Sequence, residues 1–216
     1  YAEPAGEADL IALVRAARAR GVPVTIHRPP RVVGDTRTGS ANLEDFVARA
    51  IKGCAELGAA PAGHFFDCMS PVDYVADAIV TIAQSPEAFA RQRFHLVHPA
   101  LVTWRTVLDF MPKIGIPLDV VPYPEWRARL IQYCQQHDNA LKTLLPLFRP
   151  VEAGGFAEIP VDADLSALPP VPCENAAAIL APAGITCPAI DARLLHVYFD
   201  YFFSSGFIQK PGGIEP

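Results

Sequence analysis

The spacing of apolar positions changes along the chain, and each change predicts an element. Between Glu7 and Arg20, Leu10, Leu13, Val14 and Ala17 recur at three- and four-residue intervals, which predicts an amphipathic helix with that stripe turned inward. Arg15, Arg18 and Arg20 fall on its solvent side and load the last turns, where the helix dipole favours cations. Gly21 is its stop signal. Val24 to Ile26 is a short β-branched run, the pattern of a parallel strand buried on both faces. Helix, tight turn and strand make half of a βαβ repeat. A polar loop follows from Gly34 to Gly39. Asn42 and Asp45 are alternative caps for a helix running through Phe46, Val47, Ala50 and Ile51 to Leu57. Ser70 to Gln84 predicts a further helix, with Val72, Val75, Ala76, Ile79, Val80 and Ala83 as its apolar stripe and Asp73 and Asp77 on the polar side. Arg93 to Val97 reads as a short strand.

Past residue 100 the pattern becomes helical and punctuated by proline. Thr103 is the candidate cap of a helix over Trp104 to Met111. Val120 and Val121 form a brief strand. Pro124 opens a helix on which Trp126, Leu130 and Tyr133 share a face, and a leucine-rich helix spans Asp138 to Phe148. Pro150 to Pro172 is irregular. Cys173-Glu174-Asn175 starts a helix reaching Leu180. Asp191 caps a last one carrying Leu194, Leu195, Tyr198, Phe199 and Phe202, which Gly206 ends. No internal repeat is visible.

Composition narrows the class. At 216 residues the chain can bury a sizeable core. With 51% hydrophobic and 19% charged residues it fits a globular protein. The 22 prolines, clustered after position 110, predict short helices joined by rigid turns. A net charge of −5 gives no electrostatic footprint for nucleic acid and argues against anionic membranes. No apolar run is long enough to span a bilayer, and no signal peptide stands at the start. Cys54, Cys68, Cys134, Cys173 and Cys187 are widely spaced with no C-x-x-C pair, so reduced thiols in a cytoplasmic protein are expected and a zinc site is not. A chain starting at Tyr1 is expected to be a piece of something longer.

Candidate chemistry is sparse. Arg28-Pro29-Pro30 directly follows a predicted strand, and open α/β sheets bind ligands beyond the carboxyl ends of their strands. The competing reading is a proline-stiffened turn. His95 and His98 flank a strand and His64 precedes two phenylalanines, but a metal needs a third ligand that the pattern does not supply. Cys54 and Cys68 read as small buried thiols before nucleophiles. Asp73, at a helix start, accepts backbone amides there or contacts a substrate loop. The run Tyr198 to Phe203 reads as a core helix.

Taken in order, these segments resemble thioester reductase domains of the extended short-chain dehydrogenase/reductase family. The resemblance rests on Arg28-Pro29-Pro30-Arg31-Val32-Val33-Gly34-Asp35-Thr36-Arg37-Thr38-Gly39, on Lys52-Gly53-Cys54-Ala55-Glu56-Leu57-Gly58 and on Pro71-Val72-Asp73-Tyr74-Val75. It continues through Phe94-His95-Leu96-Val97-His98-Pro99, Pro122-Tyr123-Pro124-Glu125-Trp126 and Leu145-Pro146-Leu147-Phe148, and ends at Asp200 to Phe207. Each motif is weak; their order and spacing carry the likeness over nearly the whole chain.

The resemblance implies an α/β fold. Residues 1–100 are expected to be the C-terminal part of a Rossmann-like sheet, and residues 101–216 a mostly helical subdomain that binds substrate and carrier protein. The family reduces an acyl or peptidyl thioester, tethered through phosphopantetheine to a carrier protein of a nonribosomal peptide or polyketide synthetase, with NADPH. The resemblance puts Tyr1 at the family's catalytic tyrosine, Arg28, Pro29 and Pro30 beside the cofactor, and Asp73, Tyr74, Trp104 and Trp126 on the substrate side, with Phe110 and Leu130 as further wall residues. Two departures matter. The lysine of the family's Tyr-x-x-x-Lys pair is missing, since position 5 is Ala5 and the alternative register finds Glu3 and Glu7. A carboxylate there repels a phenolate instead of stabilising it. The G-x-x-G-x-x-G turn that cradles a pyrophosphate is also missing. The chain alone is therefore expected to bind no NADPH. Three functions stay open at this point: part of a reductase, a redox-inactive offloading or cyclisation domain, or a carrier-protein docking module.

Overall fold

A computed structural model of the chain describes residues 7–62, 68–98, 104–148 and 171–211. It opens with α1 (Glu7–Ala19), β1 (Ile26–Arg28), β2 (Arg31–Val33), α2 (Phe46–Leu57) and β3 (Ala59–Pro61). β4 (Met69–Pro71), α3 (Val72–Gln84), α4 (Ala88–Arg91) and β5 (Arg93–His95) follow. The remainder comprises α5 (Trp104–Phe110), β6 (Asp119–Val121), α6 (Tyr123–Gln136), α7 (Glu174–Leu180) and α8 (Ala192–Ser204). The strands pair in parallel, β1 with β5, β2 with β4 and β3 with β6. Parallel strands joined through helices are the α/β arrangement expected.

Local chemistry explains most boundaries. Pro29 and Pro30 have no N–H to give a ladder, so one extended segment is cut into two strands with different partners. On one side the Arg28 carbonyl accepts from Leu96 N (3.1 Å); on the other Arg31 N donates to the Cys68 carbonyl (3.1 Å). Of the two candidate caps of α2, Asp45 is the one used, accepting from Val47 N at 3.0 Å, while Asn42 Oδ1 accepts from Glu44 N in the preceding turn. Asp191 caps α8 through Leu194 N at 2.9 Å. Gly21 (φ 81°) and Gly206 (φ 71°) follow α1 and α8 in the left-handed conformation.

Two cores form. The larger joins α2, β3, Met69, α5, β6, α6 and α8, with Leu130, Trp126 and Phe199 at its centre. Trp126 Nε1 donates to the Ala59 carbonyl at 3.2 Å, so its polar edge is satisfied. The smaller gathers Tyr74, Val75, Ala78 and Ile82 of α3 with Phe94, Leu96 and α7. The two cores do not divide at residue 100. α7, late in the chain, closes over β5 and α3, while α2 and β3, early in the chain, belong to the larger core.

Several expectations are corrected. β1 starts at Ile26, two residues beyond the predicted start, and β2, β3 and β4 are unforeseen. Ser70 and Pro71 lie in β4, so α3 begins at Val72. The predicted stripe of α3 is the wrong face: Val72, Ala76, Ile79, Val80 and Ala83 are exposed, and Tyr74, Val75, Ala78 and Ile82 are buried. α3 is apolar on two sides, and packing against α7 chose between them. Leu10 and Leu13 of α1 point outward at 52% and 67% exposure, and none of its residues from Leu10 to Ala19 is buried. On α6, Tyr123 and Cys134 complete the buried face, while Tyr133 is half-buried. The leucine-rich stretch is a 3-10 helix, Lys142–Leu147, because Pro146 inside it cannot donate an α-helical bond. Thr103, His64 and most of the irregular stretch from 150 to 172 lie outside the described residues.

Candidate functional site

A densely hydrogen-bonded polar loop lies where β2 ends. The loop Gly34–Gly39 closes on itself, with Asp35 N donating to the Ser40 carbonyl (3.0 Å) and Gly39 N to the Asp35 carbonyl (2.9 Å). Asp35 Oδ1 accepts from Arg37 N (2.9 Å), Thr38 N (2.8 Å) and Thr38 Oγ1 (3.0 Å). Those amides favour the carboxylate, the Thr38 amide most, and hold the Asp35 carboxyl below its usual range.

Two other elements clamp this loop. From α3, Asp73 accepts from Thr36 N at 3.3 Å and from Thr36 Oγ1. From α8, the Tyr198 hydroxyl donates to the Gly34 carbonyl at 2.9 Å across 164 positions of sequence. Both glycines are required by contact. A Cβ on Gly34 would meet Gly39 O at 2.8 Å and the Tyr198 ring at 2.9 Å. On Gly39, at φ 71°, it would meet Val197 O at 2.3 Å. Burial, with Asp73 and Asp35 nearby, raises the Tyr198 phenol, so it stays a protonated donor. The exposed tip, Arg37 and Thr38, projects beyond the carboxyl end of β2, where open α/β sheets place ligands.

Of the residues singled out from sequence, Asp73 joins this loop, whereas Arg28, Pro29 and Pro30 lie at the start of β2, the opposite end of that strand from the loop. Asp73 does not cap its own helix, which has no side-chain cap; it is spent on Thr36. Tyr74 is 8% exposed in the smaller core, its phenol pushed up to about 12 chiefly by burial. Trp104 and Trp126 are 6% and 2% exposed in the larger core, with Phe110 and Leu130 also buried. Packing, not an open wall, is what the structure assigns to these five. Tyr1 lies outside the described residues. Tyr198 and Thr36 were missed. Only the paired glycines hinted at a close approach, and nothing in the sequence said what approached.

The remaining candidates resolve into structure. Gly53 lies against Leu141, whose Cγ would be 2.5 Å from a Cβ, and its carbonyl accepts from Asn139 Nδ2 at 3.0 Å. The Lys52-Gly53-Cys54 motif thus seals α2 to the segment after α6. Burial pushes the Cys54 thiol up to about 12, which makes it unreactive. His95 Nδ1 pairs with the Pro172 carbonyl at 2.8 Å. No three His, Cys, Asp or Glu side chains converge among the described residues. An open groove of about 580 Å³ runs between Lys52, Ile116, Phe207 and Lys210, away from the loop.

Whether these residues suit a dinucleotide can be tested on the glycines. A pyrophosphate cradle needs glycine backbone open to the ligand at the start of a helix. A Cβ at Gly34, Gly39 or Gly53 would meet protein atoms at 2.3–2.9 Å, and Gly21 and Gly58 follow the ends of helices. The described residues do not form that cradle.

Comparison with known proteins places the chain. Residues 11–79 match the NAD-binding family described as male sterility protein. The isonitrile lipopeptide synthase of Streptomyces coeruleorubidus is 30% identical over 203 residues, covering 93% of this chain and 13% of that protein. The crystal structure of the terminal R domain from the myxalamid PKS-NRPS biosynthetic pathway superposes with a TM-score of 0.79 at 34% identity, covering 93% of this chain and 48% of that one. A thiolation-reductase di-domain from an archaeal nonribosomal peptide synthetase shares the fold (TM-score 0.69, 22% identity, 96% and 43% covered). No helix among the described residues is long and apolar enough to cross a membrane. The motif order, the parallel α/β framework and these similarities agree: the chain's relatives are terminal thioester reductase domains, and it spans about half the length of a solved one.

Proposed function

We propose that the chain is the acyl-receiving portion of a thioester reductase domain, which takes an acyl or peptidyl group tethered to a carrier protein and releases it from a multidomain synthetase. The observation that carries this reading is the 34% identity over 93% of the chain with the terminal R domain of the myxalamid pathway. In a whole reductase domain, NADPH held by other residues would supply the hydride, and with one proton the thioester would give aldehyde, carrier thiol and NADP+. The clamped Gly34–Gly39 loop is the surface along which the thioester arm runs. Asp73 acts through Thr36 and is a positioning residue. Arg28, Pro29 and Pro30 border the cofactor, and Tyr74, Trp104 and Trp126 support the channel from behind.

The test presents a carrier-loaded acyl thioester to the chain, with and without the rest of a reductase domain, and follows nicotinamide absorbance and released product by mass. Aldehyde formation that requires both parts is the expected result. A cyclised product released without NADPH would assign redox-free offloading instead, and carrier binding with no release would assign a docking module.

A further inference from the structure

Cys173 and Cys187 bracket α7, and both are free, partly exposed thiols. The stretch that carries them is anchored to β5 and its next residue at both ends. At the start, His95 Nδ1 pairs with the Pro172 carbonyl at 2.8 Å, and Asn175 Nδ2 donates to the Arg93 carbonyl at 3.1 Å. Beyond α7 the chain turns back, with Ile185 N donating to the Leu180 carbonyl at 3.0 Å. Cys187 then packs on the smaller core, its Sγ 3.5 Å from Ser70 Oγ, and Ser70 Oγ donates to the Leu96 carbonyl at 2.9 Å. One cysteine thus follows the residue bonded to His95, and the other lies against the serine bonded to Leu96, the next residue along. A seven-residue helix rises about 10 Å, and the two residues from Ile185 to Cys187 retrace up to about 7 Å of it. A disulfide joins Cα atoms up to about 7 Å apart.

Tyr74 supports the same placement. Burial is the main cause that raises its phenol, and Cys187 and Cys173 are both near enough to add to it. Cys173 also acts on Cys187, whose thiol is raised chiefly by burial. Among the described residues no third His, Cys, Asp or Glu joins the pair to make a metal site. Two thiols alone are the donors of a disulfide.

We infer that Cys173 and Cys187 form a reversible disulfide, made by a peroxide and undone by a dithiol, that staples α7 over β5 and α3. The Cys173 thiolate attacks one peroxide oxygen; a sulfur–oxygen bond forms, the oxygen–oxygen bond breaks, and a proton completes the departing water. The Cys187 thiol then attacks that sulfur. The sulfur–sulfur bond forms, and the hydroxide that leaves takes the Cys187 proton as a second water. Two thiols lose two electrons and the peroxide gains them. Burial keeps Cys187 protonated, so it is the resolving partner. The staple holds the face of α3 that carries Tyr74, next to Asp73, and so steadies the support of the Gly34–Gly39 loop.

The test treats the chain with hydrogen peroxide, blocks the remaining thiols and cleaves after glutamate, so that Glu174 separates the two cysteines. Mass mapping should find the Cys173 and Cys187 peptides joined, and dithiothreitol should part them. Cys173→Ser and Cys187→Ser should each abolish the link. The Ala177 amide, which donates to the Cys173 carbonyl at 2.9 Å, should exchange about tenfold more slowly or better in the oxidised chain. A Cys68–Cys187 link, links only between chains, or sulfinic acid without a link would overturn the inference. So would a Cys173–Cys187 link that leaves Ala177 exchange unchanged, because α7 would not be stapled. No thioester enters the measurement, so its outcome is independent of the proposed function.

Discussion

Around Trp126 the chain is closed by its own residues, whereas around α1 and α3 apolar side chains stand in solvent. Trp126, Leu130 and Phe199 are 0–2% exposed, while Leu13, Val80 and Phe89 are 67%, 55% and 42% exposed. Both regions are built from comparably apolar stretches, so composition does not separate them. Supply of partners does. α2, α6 and α8 approach the same volume from three directions and exclude water from it. Among the described residues β1 and β5 form a two-stranded sheet, and α1 buries none of its residues from Leu10 to Ala19. The first region is closed by its own residues, and the second leaves apolar side chains exposed among the described residues.

Substitutions break or sharpen this contrast. The largest effect is expected in the closed core: Trp126→Ala should cost about 3–5 kcal/mol in urea unfolding through lost packing, with the Ala59 carbonyl also left unpaired. Gly39→Ala should follow at about 3 kcal/mol, because a left-handed conformation and a backbone clash with Val197 O add together. A near-neutral result there would show that the loop is not seated on α8. Tyr198→Phe should cost about 1–2 kcal/mol, the penalty of stripping one donor from the buried Gly34 carbonyl. Leu13→Ser should change unfolding free energy by less than about 0.5 kcal/mol. A large loss there would mean that α1 is buried in the free chain and would erase the contrast.

The smallest expected effect concerns pH. The folded Asp35 carboxyl is held below its ordinary value by the Thr38 and Arg37 amides. Its contribution is therefore present above the usual carboxylate range and is lost as pH falls through the depressed folded value. The Thr38 amide resonance should hold steady from neutrality to about pH 4 and move only below it. A midpoint above that range would show that Asp35 does not accept those amides.

The local elements were readable because their signals are local. Asp45 and Asp191 cap the helices they were expected to cap or share, α2 ends at Leu57, and α7 runs from Glu174 to Leu180. The three-residue strands were not, since β3 and β4 are too short to show alternation against their surroundings. The site was half readable: the sequence singled out Asp73, as a helix cap or a loop contact, and the glycine-bounded loop, and it put Tyr198 in the core, where it lies, but it named neither residue's hydrogen-bond partner. Both gaps have one cause. A side chain's partner across 37 or 164 positions leaves no mark on the pattern around it.

By itself the sequence determined most of the helical segments, their caps and the order of motifs that resembles the family, because each depends on backbone propensity and near neighbours. The tertiary structure alone decided which face of α3 is buried, that α7 crosses back to cover β5, and that Tyr198 and Asp73 both bind one loop. Those outcomes depend on what arrives from elsewhere in the chain. At α1 the stripe that the sequence marks for burial is only half covered among the described residues, with Val14 and Ala17 half-buried and Leu10 and Leu13 exposed.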